Sequence, residues 1–394
     1  MDSIKKNIVI NDYGGYSFIY ELAKELSLEY NVYFIYASVS GSSKGNVYED
    51  SQNLKCINLI DKTIDKSNFV KRLFIEISYG NNFKRFLASN KIEFVFSANT
   101  PVIPQYLIQR YCRRNKIKFI FWLQDIISLA VKSVLEKKSK ILSGLFYNLW
   151  KYFEKSALKN ADKIIVITKD FENFLSTWSV NKNKIEYIPN WSSLKDIVPT
   201  SKENSFSKKY NLTNSFNVLY SGTLGYKHNP EIFYTIANKL LNHNIKIIVV
   251  SEGIGMNYLK NILRDHPLEN LLLLPYQSKS ILSEVYGSAD IILSILEKTA
   301  GIFSVPSKVW ATYCAGKPSV LIVPKENQAA KITTEIKAGI IIEPDRAEYL
   351  VEKILELKTN PELLNSYGIN ARKYAEENFD IKQISQKFLK LINS

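Results

Sequence analysis

The sequence predicts an α/β protein made of two doubly wound parallel sheets, one after the other. Three observations carry that reading. Short apolar runs alternate with amphipathic, helix-period segments along the whole chain, as parallel strands joined by crossover helices do. At 394 residues the chain is longer than one hydrophobic core usually serves. The polar stretch 198–207, with one proline and four Ser/Thr, separates two such programmes and reads as a surface connection. The expected domains are therefore 1–198 and 199–378.

In the first half, Ile8–Ile10 is a strand between Lys5-Lys6 and Asn11-Asp12. Tyr20–Leu28 is helical, with Leu22, Ala23, Leu26 and Leu28 on one side. Val32–Tyr36, Phe94–Phe96, Lys118–Trp122 and Lys163–Ile167 are further strands, short and apolar on both faces as buried parallel strands are. Helical periodicity fills 69–89, 102–114 and 141–160. The second half repeats the scheme. Asn217–Tyr220, Ile245–Val250, Leu271–Leu274, Asp290–Ser294 and Ser319–Val323 read as strands, and Pro230–Leu241, Met256–Asp265, Lys279–Gly287 and Pro306–Ala315 as helices. Pro306 suits a first helical position, where its missing N–H would be unpaired anyway, and Gly316 can end that helix in left-handed backbone. Asn360-Pro361 opens another helix, and Asn378-Phe379-Asp380 punctuates before Ile381–Ile392. There is no tandem repeat or low-complexity tract.

Composition bounds the function. The three cysteines, Cys56, Cys112 and Cys314, are far apart and predict free thiols in a reducing compartment. The three histidines form no ligand cluster, which argues against structural zinc. No apolar run approaches the ~18 residues of a membrane span, since Phe119–Val131 is broken by Gln124 and Asp125. The first apolar run is too short for a signal peptide, so the expected location is cytoplasmic. The formal net charge of +14 is unevenly placed: Arg110–Lys163 alone holds 13 basic and 4 acidic residues, or +9. Such a surface suits an anionic lipid, a phosphate-bearing acceptor or nucleic acid, or is simply a solvated face. Nucleic acid is set aside because it would not explain glycine loops repeated at strand ends. In 142–161, Leu142, Leu145, Phe146, Leu149, Trp150 and Phe153 recur at helical spacing near Lys151, Lys155 and Lys159. That stripe either packs on the core or lies on a bilayer.

The residues that carry chemistry sit where strands end. Pro306-Ser307-Lys308 enters its helix from a short loop; free N–H groups, the positive end of the dipole and a lysine in the first turn suit a diphosphate. Ser221-Gly222-Thr223-Leu224-Gly225-Tyr226-Lys227 brings glycine backbone and the Lys227 charge to the end of another strand. In Ser251-Glu252-Gly253-Ile254-Gly255, Glu252 can meet ligand hydroxyls. Tyr276 can stack on a base. In the first half, Asp12-Tyr13-Gly14-Gly15-Tyr16 is a glycine turn without the GxGxxG spacing of dinucleotide sites. Asp125 either hydrogen-bonds an acceptor or acts on it as a base, or it caps the helix that follows. Asn190, in Pro189-Asn190-Trp191, is either structural or ligand-facing. The candidate catalytic set is Asp125, Lys227 and Lys308. The candidate donor and nucleotide contacts are Gly15, Gly222, Thr223, Glu252, Gly253, Gly255, Tyr276, Pro306 and Ser307, with Gly15 and Asp125 near the acceptor. No metal site is expected, consistent with the lack of an Asp-x-Asp motif.

In order and separation these motifs resemble the family 4 glycosyltransferases of the GT-B fold, and among them the bacterial O-antigen and capsule enzymes similar to L-fucosamine transferase. The resemblance spans nearly the whole chain: Gly14-Gly15, Ala161–Thr168, Ile188-Pro189-Asn190, Gly222–Gly225, Gly253–Gly255, Ala289-Asp290, Pro306-Ser307-Lys308 to Gly316-Lys317-Pro318, Ala371-Arg372 and Asn378-Phe379. It implies two Rossmann-like domains with a cleft, the first binding the acceptor and the second the donor, with the closing helix 379–394 packed back on the first. It also implies a retaining transfer from a UDP-sugar to a lipid diphosphate-linked saccharide, on the inner face of the cell membrane and without a metal. Two features depart from the family. Phe303 and Ala311 stand where its signature has two glutamates, leaving Glu297 as the nearest acid, and Thr223 stands where arginine is frequent. A UDP-sugar epimerase of the same fold, or a non-catalytic nucleotide-sugar-binding subunit of a polysaccharide assembly, remain the alternatives.

Overall fold

A computed structural model describes residues 5–38, 48–61, 69–136, 140–225, 228–298 and 304–393. The chain forms two compact units, Met1–Pro189 with Ile381–Ser394, and Asn190–Asp380.

The first unit is built on a seven-stranded parallel sheet: β1 (Asn7–Asp12), β2 (Asn31–Ser38), β3 (Leu54–Asp61), β4 (Phe94–Ala98), β5 (Lys118–Leu123), β6 (Lys163–Val166) and β7 (Ile185–Tyr187), in the order β3-β2-β1-β4-β5-β6-β7. Central strands are apolar on both faces because helices cover both. Ile8, Val9, Ile10, Val95 and Phe96 are fully buried, and the helix Ser17–Leu26 buries Ile19, Leu22, Ala23 and Leu26 at helical spacing. The helix Ile381–Asn393 completes this core: Phe388 is fully buried, its ring centre 5.6 Å from that of Phe96 and 4.9 Å from that of Trp122.

The second unit has a six-stranded parallel sheet: β8 (Phe216–Ser221), β9 (Ile245–Val250), β10 (Leu271–Leu274), β11 (Ile291–Ile295), β12 (Ser319–Ile322) and β13 (Gly339–Ile342), in the order β10-β9-β8-β11-β12-β13. Its core joins these strands to the helices Glu231–Lys239, Ile254–Asp265 and Leu350–Lys358. In both sheets the strand order reverses once, between β1 and β4 and between β8 and β11. Ligands of such sheets bind in the crevice outside the carboxyl ends of the strands at that reversal.

Several expectations shift. The chain divides after Pro189, not after Val198. The polar stretch belongs to the second unit because its polar groups are bonded there: the Lys202 ammonium contacts Asp290, Asn204 donates to the Glu284 carbonyl at 3.0 Å, and the Val198 N–H donates to Ser283 at 3.1 Å. The helix expected over Pro306–Ala315 is shorter, Lys308–Cys314. Its end is as read: Gly316 has φ +63°, its N–H bonds the Tyr313 carbonyl, and the Lys317 N–H bonds that of Thr312. The stripe on the helix Lys140–Asn160 splits. Trp150 is buried, Phe146 is half-buried and the Phe153 ring lies 5.0 Å from Tyr106, whereas Leu149 is exposed; the side chains of Leu142 and Leu145 lie outside the described residues. Among the described residues no helix is long and apolar enough to cross a membrane.

Candidate functional site

The loop after β8, the loop after β9, Tyr276 beyond β10 and the first turn of the helix Lys308–Cys314 meet at the carboxyl edge of the second sheet. Backbone bonds knit them: the Gly222 N–H to Val250 O (3.0 Å), Leu224 N–H to Glu252 O (3.1 Å) and Gly255 N–H to Leu224 O (2.9 Å). Gly222 has φ +132°, and a Cβ there would stand 2.4 Å from Cε of Lys308. Only glycine serves at such a position. The lysine stem lies in the space this leaves.

The Lys308 ammonium donates to the Tyr220 hydroxyl and, at 3.3 Å, to the Thr223 carbonyl, and lies 3.9 Å from the centre of the Tyr220 ring. These contacts orient the ammonium. Tyr220 is almost completely buried, and burial holds its hydroxyl protonated, with a pKa well above the usual tyrosine range. That hydroxyl donates a hydrogen bond to the Thr223 carbonyl at 2.9 Å. Thr223 Oγ1 and the Tyr276 hydroxyl are 2.6 Å apart, and burial pushes the Tyr276 pKa to about 12. The site thus offers a placed cation beside exposed loop backbone.

The reversal in the first sheet is equally built. Asp12 ends β1 with no exposed surface. Its carboxylate accepts from Gly14 N–H (3.2 Å), from Tyr16 N–H and from the Asn99 amide (2.9 Å), which ties the loop after β1 to the loop after β4. Burial raises its pKa to about 7 against those three bonds. Beneath it, Asn11 donates to Ser97 and Thr100, both at 2.8 Å, and accepts from Tyr79 at 2.5 Å. Gln124 and the exposed Asp125 follow β5, and a cavity opens beside them.

Two family patterns match the chain, "Glycosyl transferases group 1" over residues 201–374 and "Glycosyltransferase Family 4" over residues 14–194. The chain belongs to the GT-B glycosyltransferases. WcaI of Escherichia coli K12, named as a colanic acid biosynthesis glycosyl transferase, is 24% identical over 241 residues, 60% of this chain and 58% of that relative. The Anabaena HepE structure in complex with UDP-glucose superposes with a TM-score of 0.72 at 12% identity, covering 98% of this chain and 99% of that one. WaaG, a glycosyltransferase involved in lipopolysaccharide biosynthesis, gives 0.70 at 14% identity, with the same coverage. At these identities the two structures report a shared fold.

In this glycosyltransferase, Gly222, Thr223, Glu252, Gly253, Gly255, Tyr276, Pro306, Ser307 and Lys308 all lie at the second sheet's carboxyl edge. Asp125 and Gly15 belong to the first unit's site; Gly15 is buried, and its carbonyl accepts from Tyr48. Lys227 and Phe303 lie outside the described residues. Ser307 precedes its helix without a side-chain cap bond. Among the described residues no three His, Cys, Asp or Glu side chains are grouped as metal ligands.

Three participants escaped sequence reasoning. Tyr220 reads as one more apolar residue of β8, and its partner Lys308 is 88 positions away. Asp12 stood inside the glycine turn but was not singled out. Glu154 is an acid among lysines, beside an apolar stripe that drew attention to the core or a bilayer instead. In fact it is 2% exposed, and its carboxylate accepts from Ile127 N–H (2.9 Å) and Ser128 N–H (3.0 Å). It therefore fills the capping role that was one of the two readings of Asp125. An acid four residues after Trp150, and so on the same helix face as that apolar residue, was the available signal.

Proposed function

We propose that this chain transfers a sugar from a UDP-sugar to a saccharide carried on a lipid diphosphate, in bacterial surface polysaccharide synthesis, with retention of configuration and without a metal. The observation that carries this reading is Lys308, held against Gly222 and Thr223 at the reversal of the second sheet. As the bond from sugar to diphosphate breaks, negative charge gathers on the departing oxygens. A cation already oriented by Tyr220 and Thr223 stabilises that charge with little reorganisation. Lys227 and the backbone entering the helix at Ser307 add to it, Glu252 meets ligand hydroxyls, and Tyr276 borders the base. In the first unit Asp125 faces the acceptor and takes its proton. The basic segment Arg110–Lys163 faces the carrier phosphates and an anionic membrane surface. The names of the similar proteins support the substrate classes: HepE is in complex with UDP-glucose, WaaG acts in lipopolysaccharide biosynthesis, and WcaI is named for colanic acid. UDP should raise the melting temperature by mass action, and Lys308→Ala should remove most of that rise. The deciding assay is UDP release from a panel of UDP-sugars with lipid-linked acceptors. No shift with any uridine nucleotide would refute the donor assignment.

A further inference from the structure

His228 stands between the glycine loop after β8 and the helix Glu231–Lys239, and it is 7% exposed. Its Nδ1 accepts the Gly225 N–H at 3.0 Å, and its own backbone N–H donates to the Gly225 carbonyl, also at 3.0 Å. Both hydrogen-bonding groups of the Gly225 backbone therefore go to one residue, reciprocally, as in a capping box. A ring nitrogen that accepts carries a lone pair, so this imidazole is neutral and its proton is on Nε2. The ring lies beside Tyr220, with centroids 6.2 Å apart.

These contacts complete the anchoring of the loop. On the β9 side, residues 222–224 are fixed by Gly222 N–H on Val250 O, Leu224 N–H on Glu252 O and Gly255 N–H on Leu224 O. On the helix side the corresponding hold is the His228 ring. Within the anchored span stands the Thr223 carbonyl, which accepts from both Tyr220 and Lys308. A phenylalanine of similar shape could fill the place beside Tyr220, but it offers Gly225 no acceptor. The bond, and not the packing, accounts for a histidine here.

We propose that His228 is a positioning residue for glycosyl transfer: by holding the Gly225 amide, its ring fixes the loop 222–225, and the Thr223 carbonyl of that loop holds Lys308 in place. The inference rests on the reading of this edge as the donor site. His228 acts through the loop, and Lys308 acts on the leaving diphosphate.

The test separates the bond from the ring. In His228→Asn the amide oxygen occupies the place of Nδ1, so the bond to Gly225 survives without the ring. In His228→Phe the ring survives without the bond. By calorimetric titration of the full chain, His228→Asn should bind UDP within about twofold of wild type, and His228→Phe about tenfold more weakly, the factor expected for one hydrogen bond. A packing role predicts the opposite order. In a Lys308→Met background His228→Phe should add nothing, because its effect passes through the lysine. Two readouts need no ligand. Proton–nitrogen NMR of histidine-labelled protein near neutral pH should show His228, identified by loss of its signal in His228→Asn, with its proton on Nε2. Hydrogen exchange of the 222–225 amides should be about tenfold faster in His228→Phe and unchanged in His228→Asn. A proton on Nδ1, exchange that follows the ring instead of the bond, UDP affinity retained in His228→Phe, or a full further loss in the Lys308→Met background would each overturn the inference. Wild-type protein that binds no uridine nucleotide defeats the donor reading, and the tautomer and the exchange then decide the hold of His228 on the loop by themselves.

Discussion

Replacing Gly222 by alanine should damage the proposed nucleotide site through Lys308, although residue 222 contributes no side chain to it. Two effects combine. An L-residue at φ +132° holds sparsely populated backbone, at about 1–3 kcal/mol. The new Cβ would also lie 2.4 Å from Lys308 Cε, so the stem must move and the ammonium leaves the Tyr220 hydroxyl and the Thr223 carbonyl. The second unit runs from 190 to 380, or 191 residues. For a domain of that size 1–3 kcal/mol lowers Tm by roughly 2–12 °C. Loss of one charge-assisted hydrogen bond to the diphosphate costs about 1.5–3 kcal/mol, or roughly 10–150-fold in Kd for UDP. Calorimetric titration of UDP into Gly222→Ala, Lys308→Met and the double variant measures both terms. If glycine acts through the lysine, the double variant binds UDP no worse than Lys308→Met alone. Wild-type UDP affinity in Gly222→Ala, or fully additive losses, would refute the reasoning.

Three further outcomes are expected. Tyr276→Phe removes the bond to Thr223 and should cost about 1 kcal/mol of stability while raising KM for the donor more than it lowers kcat, a split that steady-state kinetics reads directly. Phe388→Ala opens a void between Phe96 and Trp122 and should cost about 3–5 kcal/mol, seen as earlier urea unfolding of the first unit; a loss below 1 kcal/mol would contradict the packing. Burial raises Glu154 to a pKa of about 7, above its value near 4 in the unfolded chain, so the folded state binds this proton more tightly. Its contribution to stability is full below about pH 4 and is lost as pH rises to 7. In Glu154→Gln the slope of unfolding free energy against pH between 5 and 7 should become less negative, by up to about 1.4 kcal/mol per pH unit; an unchanged slope would count against the shift.

What could be read in advance depended on how local the cause was. Ile245–Val250 and Leu271–Leu274 were legible to the residue, because strands covered by helices on both faces must be apolar throughout. The edge strand Leu54–Asp61 was missed because it mixes Lys55 and Asn58 with apolar residues, as a partly exposed strand can. Gly339–Ile342, the opposite kind of edge, is too short to stand out from its surroundings. The helix Ile127–Glu136 was foreshadowed only by the capping alternative for Asp125; that its first amides are held by Glu154, 27 residues beyond its start, has no local signal. The places of Gly222 and Lys308, at a strand end and in the first turn of a helix, were legible one at a time from their local sequence. Their contact was not, because no local pattern links residues 86 apart.

The helix Ile381–Asn393 has a consequence for biosynthesis. The first unit starts the chain, yet Phe96 and Trp122 are not covered until Phe388 has been made. At 5–20 residues per second, translating the intervening 191 residues takes about 10–40 s. During that interval the second unit, whose residues are contiguous, can close its core while the first still shows an apolar face to water. A nascent chain halted before residue 381 should therefore engage chaperones through its N-terminal half, although most of that half has long since left the ribosome.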